Sequence, residues 1–289
     1  MPSESWAALI ASAADDLKNV GLPDPGREAR LLARWAGDFD GTGLTVALRD
    51  AAPSEAAARF RAAVARRADR HPLSHITGVR AFWGRDFEVT PDVLDPRPET
   101  EILVAVGLER PFGHVLDLGT GTGCILLSLL SDRPEATGVG TDLSPAALAV
   151  AKSNTERLGL TAQVELRQTD WADGVEGPFD LIVSNPPYLA EAELRRLEPE
   201  VGLHEPRLAL TPGGDGLAAY CAIASALPRL LAPTGRVLVE IGPTQASAVS
   251  EIMAAAGLNV LPVRTDLDGR DRVIEALAPQ FSSVPAFRG

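Results

Sequence analysis

The stretch His114-Val115-Leu116-Asp117-Leu118-Gly119-Thr120-Gly121-Thr122-Gly123-Cys124 constrains the fold of this chain more than any other. An apolar strand runs into a loop with glycine at every second position. A helix-like apolar run, Cys124 to Leu130, follows at once. Glycines in such a loop accept φ > 0 and let backbone come close to a ligand. The helix that begins there turns unpaired N–H groups toward an anion. Strand, glycine loop and helix in direct succession open a sheet with helices packed on it.

The remainder keeps that rhythm. Strands are expected to Asp117, over Thr137–Asp142, Gln163–Arg167, Phe179–Ser184, Arg236–Ile241, Leu258–Arg264 and Arg272–Leu277. Helices are expected from Cys124 and over Pro145–Leu158, Gly216–Leu231 and Gln245–Ala256. Ser144 before Pro145 reads as a cap followed by proline at the first helical position. The pattern is that of an α/β fold, an open, doubly wound, Rossmann-like sheet. Ligands in such sheets bind at the carboxyl ends of the strands, where Asp117, Asp142, Asp170 and Asn185 all fall. The loop spacing is G-x-G-x-G, not the G-x-G-x-x-G of the dinucleotide fingerprint. An acid at Asp142 still stands where a ribose diol is bound in that fold. Loop and acid together imply an adenosine-containing ligand.

A second motif, Asn185-Pro186-Pro187-Tyr188, ends the strand Phe179–Ser184. Alone, Asn-Pro is a common turn former. At a sheet edge shared with the glycine loop it suits a planar –NH2 group. The Asn185 side-chain oxygen and the Pro186 carbonyl can each accept one of its hydrogens, and the Tyr188 ring can cover its flat face. Two prolines, Pro186 and Pro187, pre-position these groups at little entropic cost.

The part before the sheet is different. Residues 1–75 read as a small helical bundle, with helices expected over Ser5–Val20, Pro25–Ala36 and Pro53–Asp69. Residues 76–95 alternate and suggest a β-hairpin linker turning at Gly84-Arg85-Asp86, and residues 96–289 form the sheet domain. Net charge is −12, and nearly all the excess acid lies after residue 80, which argues against a nucleic-acid partner. Arg59, Arg61, Arg66, Arg67 and Arg70 crowd one expected helix, either as a solvated face or as a dock for an acidic partner. The two cysteines, Cys124 and Cys221, suggest neither a disulfide framework nor a metal site, which fits a reducing cytoplasm; Cys124 reads as a packing residue. No apolar run has membrane-spanning length.

The combined motifs resemble the class I S-adenosylmethionine-dependent methyltransferases. With Phe82-Trp83-Gly84, Pro72 to Gly78, Arg97-Pro98-Glu99-Thr100-Glu101, Glu205-Pro206-Arg207 and Asp268 to Val273, the chain is similar to the HemK/PrmC family over nearly its whole length. That resemblance implies a seven-stranded methyltransferase sheet and a protein-(glutamine-N5) methyltransferase acting on the Gly-Gly-Gln motif of peptide chain release factors. It implies S-adenosylmethionine as methyl donor, S-adenosylhomocysteine as product and a helical domain that recognises the substrate. Gly119, Thr120, Gly121, Thr122 and Gly123 are expected to wrap the methionine end of the donor, and Asp142 to bind its ribose. Asp170 and Trp171 are expected to flank the adenine. Asp117 either orders the loop or meets the donor's amino group, and Glu99 and Thr100 pack near the donor site. Glu205 and Arg207 either close over the substrate or form a surface salt bridge. The family has an apolar residue where this chain has Asp95. Asn185, Pro186 and Tyr188 are the expected catalytic residues, in a cytoplasmic monomer. Two other substrates suit the same motif: an exocyclic amino group of DNA or RNA, and a ribosomal-protein glutamine.

Overall fold

The computed structural model describes residues 4–279. They form two compact units: one runs to Val79 and also takes Glu198–His204; the other takes Arg80–Leu197 and the chain from Glu205 onward.

The first unit holds α1 (Trp6–Asn19), α2 (Pro25–Ala36), α3 (Gly43–Ala47), α4 (Ser54–Ala68) and α5 (Leu73–Thr77). Helix starts follow local chemistry. The Ser5 side chain accepts from the Ala8 N–H, and that of Asp24 accepts from the Arg27 N–H just before Pro25. Apolar faces of α1, α2 and α4 meet around Trp6, which lies edge-on to Phe39 and Phe60 at 5.3 and 6.1 Å.

The five crowded arginines are each engaged inside this unit. Arg59 binds the Ala36 carbonyl and Asp38, Arg61 pairs with Glu4, and Arg66 reaches the His75 carbonyl. Arg67 is buried and pairs with Glu28 and, at 2.9 Å, with Glu200; Arg70 reaches Glu200 at 3.0 Å. Glu200 lies on the short helix Pro199–His204. The sequence reading assigns that segment to the sheet domain. The structure gives it to the helical unit, held by these pairs and by His204, whose ring lies 4.1 Å from that of His71.

A hairpin follows, β1 (Val79–Phe82) and β2 (Arg85–Glu88), of which all but Val79 belongs to the second unit. Its turn is Trp83-Gly84, both with positive φ, so it falls one step before the expected Gly84-Arg85-Asp86. The hairpin ends at Glu88 and does not fill residues 76–95. A 3-10 turn, Pro98–Thr100, leads into α6 (Glu101–Leu108). Then come β3 (His114–Leu118), α7 (Cys124–Ser131), β4 (Thr137–Asp142), α8 (Pro145–Arg157), β5 (Val164–Gln168) and β6 (Phe179–Ser184). After α9 (Pro199–His204) follow α10 (Arg207–Leu210), α11 (Ala218–Leu230), β7 (Leu231–Glu240), α12 (Ala246–Ala255), β8 (Asn259–Val260), β9 (Arg264–Thr265) and β10 (Asp271–Leu277).

The sheet order is β5-β4-β3-β6-β7-β10-β8, with the two-residue β9 beside β10. That is the expected seven-stranded path plus one short strand, since the Leu258–Arg264 run breaks into β8 and β9. β5, β4, β3, β6 and β7 are parallel, and β10 runs antiparallel to β7. Alternate residues serve opposite faces. Leu116, Leu118, Ile182, Val237 and Val239 join the core that includes residues of α11 and α12, whereas Val115, Leu181, Val183 and Leu238 join the core with α6 and α7. From β3 the chain moves outward to β5 and returns to β6 on β3's other side. The carboxyl ends of β3 and β6 therefore flank the switch point, where such sheets bind ligands.

One buried ion pair fastens this unit at the other edge. Arg236 is 3% exposed; it donates to the Val106 and Gly107 carbonyls and to Glu275, which is 1% exposed. Arg236→Met removes the cation and strands the acid. Arg110 and Arg264, 3.7 and 3.6 Å from Glu275, soften the loss. The expected cost is about 3 kcal/mol, the low end for a broken buried pair. Urea unfolding should show it as a lower midpoint with unchanged slope.

Candidate active site

The glycine loop is fixed before any ligand is considered. Gly119, Gly121 and Gly123 have φ of +74°, +54° and +80°, which L side chains rarely adopt. The N–H groups of Gly119 and Thr120 both donate to the Thr141 carbonyl on β4, at 2.9 and 2.8 Å. Gly121 N–H donates to Asp142 Oδ2 at 2.9 Å, and Ser144 N–H donates to Asp142 Oδ1 at 2.9 Å. One carboxylate thus ties the loop to the start of α8. The Thr120 hydroxyl donates to Asp117 Oδ2 at 2.7 Å, and Thr122 Oγ1 accepts from Cys124 N–H at the start of α7.

Burial dominates the electrostatics. Asp117 is fully buried and its carboxyl is pushed up to about 7, with the Thr120 hydroxyl opposing and the Asp142 charge adding to the rise. Its Oδ1 has no hydrogen-bond partner. Burial also raises Asp142, against the backbone N–H groups of Ser144, Gly121 and Leu143 that lower it. The Cys124 thiol is pushed up to about 12 by burial, which suits packing rather than nucleophilic chemistry.

Above these groups lies a cavity of about 390 Å³. Of the expected site residues, Gly119, Thr120, Gly121, Thr122, Asp142, Asp170, Trp171, Thr100, Asn185 and Pro187 line it. Gly123, Asp117, Pro186, Tyr188 and Glu99 are not on its wall. Gly123 starts α7, Asp117 lies beneath the loop, and Pro186 is buried. Tyr188 packs against the core; its carbonyl accepts from Gln245 Nε2 at 2.9 Å and approaches Gly216 so closely that a Cβ there would clash with it. Burial pushes the Tyr188 hydroxyl up to about 12. Trp171 has φ +48°, and its ring comes within 3.6 Å of where a Gly119 side chain would begin.

Asn185 carries the clearest directional information. Its Nδ2 donates to Thr100 Oγ1 at 3.2 Å. One of its two N–H donors is thus engaged, which orients the amide with Oδ1 as its acceptor.

Several residues of this neighbourhood escape the sequence reading. Asn154 of α8 accepts from the Glu88 N–H and donates to the Glu88 and Thr122 carbonyls, joining hairpin, helix and loop. Arg97 lines the cavity and binds both oxygens of Glu205 at 2.8 and 2.6 Å. Glu205 is buried and raised to about 7, so it is no surface pair; Arg207 makes the surface pair instead, with Glu191. Asp95 is buried 3.7 Å from Arg80, which accounts for an acid at that position. Leu143, half exposed beside Asp142, also lines the cavity. Among the described residues no cluster of histidine, cysteine and acidic side chains could hold a metal, and no helix is long and apolar enough to cross a membrane.

Comparisons with known proteins agree with this architecture. Residues 8–78 match the family model of the PrmC N-terminal domain, and residues 93–217 that of the methyltransferase small domain. A release factor glutamine methyltransferase of Cereibacter sphaeroides is 53% identical over 273 residues, 94% of this chain and 98% of that protein. One of Rhodospirillum rubrum is 46% identical over 281 residues, 96% of this chain and 86% of that protein. Among solved structures, a methyltransferase from Pyrococcus furiosus aligns with a TM-score of 0.53 at 19% identity, covering 69% of this chain and 91% of that one, which supports the sheet architecture alone.

Proposed function

The chain belongs to the release factor glutamine methyltransferase family, and on that premise we propose that it transfers a methyl group from S-adenosylmethionine to the side-chain amide nitrogen (N5) of the glutamine in the Gly-Gly-Gln motif of a peptide chain release factor. The observation that carries the reading is a single cavity. It has the Gly119–Thr122 loop and Asp142 on one side of the switch point and Asn185 on the other.

The residues present fit the donor. The loop offers close backbone approach, Asp142 keeps lone pairs for ribose hydroxyls beyond its two backbone bonds, and Trp171 supplies a flat wall. The open cavity wall at Gly121 leaves room for a polar group, while Asp117 orders the loop from beneath through Thr120. When bound, the donor supplies an electrophilic methyl on a sulfonium.

The chain's own residues prepare the acceptor. An amide nitrogen is a weak nucleophile because its lone pair is shared with the carbonyl. Asn185 Oδ1, on the cavity wall, accepts one hydrogen of the –NH2 and aims the nitrogen; the second acceptor is the Pro186 carbonyl expected from the sequence, although Pro186 is buried off that wall. Both acceptors stabilise positive charge as it grows there. The methylated nitrogen is strongly acidic, so its proton leaves without a dedicated base.

The same reading makes the release factor a protein substrate of a monomeric cytoplasmic enzyme with no stable nucleic-acid or membrane partner. The net charge of −12 supports the first of those exclusions. The helical unit is taken as the part that recognises the factor.

The test is mass spectrometry of a release factor incubated with this protein and S-adenosylmethionine. The expected product carries one added methyl on the Gly-Gly-Gln glutamine. An unmodified factor, with donor binding confirmed by calorimetry, would overturn the substrate.

A further inference from the structure

We propose that Glu240 is a positioning residue of this site: through the Thr100 hydroxyl it fixes the Asn185 amide and keeps a negative charge behind the nitrogen that becomes cationic. The proposal rests on the methyl-transfer reading above and deepens it.

The topology sets the juxtaposition. β6 and β7 run parallel with Ser184 opposite Val239, so Asn185 and Glu240 follow side by side at the carboxyl edge. Asn185 Nδ2 donates to Thr100 Oγ1, which leaves the hydroxyl proton free for a further acceptor. Thr100 is buried, and its hydroxyl lies near enough to ease the charge on Glu240. Yet neither oxygen of Glu240 completes a hydrogen bond, although the residue is 0% exposed. Its ion-pair partner Arg272 stands 4.0 Å away, and that guanidinium also serves Asp266 and the Ile241 carbonyl.

A buried carboxylate so thinly partnered is costly, and a fold that needed only its shape would be served by an uncharged side chain. The charge makes sense as the end of a chain. Asn185 donates to Thr100 and Thr100 is free to donate to Glu240, and each step leaves Asn185 Oδ1 a stronger acceptor. Oδ1 is the atom that meets the substrate nitrogen, so its strength matters most as that nitrogen gains charge.

Burial raises the Glu240 carboxyl to about 7; Thr100, Arg272 and Arg97 oppose the rise, and Glu99 adds to it. Tyr188 and Tyr220 also lie within its field. The sign for stability follows. A folded-state value above the ordinary one means the folded chain holds the proton more tightly, so stability falls as pH rises toward about 7. Turnover moves the other way, because only the charged form supports the cation.

Glu240→Gln tests this in three readouts. At about pH 8 the variant should keep or gain thermal stability while kcat falls about tenfold and the donor KM stays unchanged. The acid limb of kcat near 7 should vanish. Asp117 and Glu205, also raised to about 7, remain in the variant, so a lost limb belongs to Glu240. Thr100→Val should cost as much as Glu240→Gln, and the double variant no more than either. A readout free of substrate is the side-chain amide signal of Asn185 in heteronuclear NMR, assigned by its loss in Asn185→Ser. In the wild type it should titrate near 7, and in Glu240→Gln it should not. Unchanged kcat with an intact acid limb, or an Asn185 signal indifferent to pH, would overturn the proposal. A wild type that leaves release factors unmethylated would instead refute the substrate, while the NMR titration still decides the relay.

Discussion

Asn185→Ala should lower turnover about 10²–10³-fold, the range found when one pre-organised group that stabilises developing charge is deleted. Affinity for S-adenosylmethionine should change little. The variant removes no backbone of the glycine loop and leaves Asp142, Asp170 and Trp171 on the cavity wall. The asymmetry follows from geometry. Asn185 spends one Nδ2 hydrogen on Thr100, and Oδ1 remains for the proposed contact with the substrate –NH2. That contact strengthens only as the nitrogen becomes cationic, so its loss falls on kcat rather than on ground-state binding. Alanine also leaves the Thr100 hydroxyl without its donor, which removes the orientation along with the acceptor. Single-turnover kinetics with donor calorimetry check both halves. Near-full turnover in the variant would refute the role given to Asn185.

What the sequence shows of this site is what local chemistry dictates. The glycine loop, the acid ending β4 and the Asn-Pro-Pro-Tyr turn each combine a short motif with the strand that presents it. The order of strands then brings them to one edge. The three helices expected in the first unit start within a residue of expectation, with Ser5, Asp24 and Pro25 writing two of the starts into the chain, whereas the five-residue α3 and α5 carry no such signal and lie outside the expected helices. The misses share one cause: they are decided by contacts between residues far apart. The strand expected from Arg236 begins earlier, at Leu231, because β7 pairs with β6 on both sides of Ala232-Pro233-Thr234-Gly235: Phe179 lies opposite Leu231 and Leu181 opposite Arg236 across an irregularity. Glu198–His204 carries no signal that it belongs with the helices; Arg67 and Arg70, some 130 positions earlier, decide that. Glu240 falls inside the expected strand Arg236–Ile241 and draws no notice there; only pairing with β6 and β10 on either side buries its carboxylate completely.

Asp142→Ala should produce the complementary phenotype: donor affinity falls about 10²–10³-fold while turnover at saturating donor falls much less. Two losses combine. The carboxylate accepts the Gly121 and Ser144 N–H groups, so its removal frees the loop and the start of α8 together. It also removes the acceptors proposed for the ribose hydroxyls, and hydrogen bonds to a charged group contribute about 1.5–3 kcal/mol each. Asp142→Asn should do little better than alanine. Both carboxylate oxygens already face backbone donors, so an amide must turn its –NH2 against an N–H of Gly121 or Ser144. The same geometry sets the pH dependence. Burial raises the Asp142 carboxyl above its ordinary range, and only the ionised form accepts at both oxygens, so donor affinity should be full at high pH and fall as the group protonates. The alanine variant, already weak, should lose that dependence. Isothermal titration with S-adenosylhomocysteine across the acid range measures both effects without turnover. Wild-type affinity in Asp142→Ala would show that the loop binds the donor through backbone alone, and that Asp142 serves only to shape it.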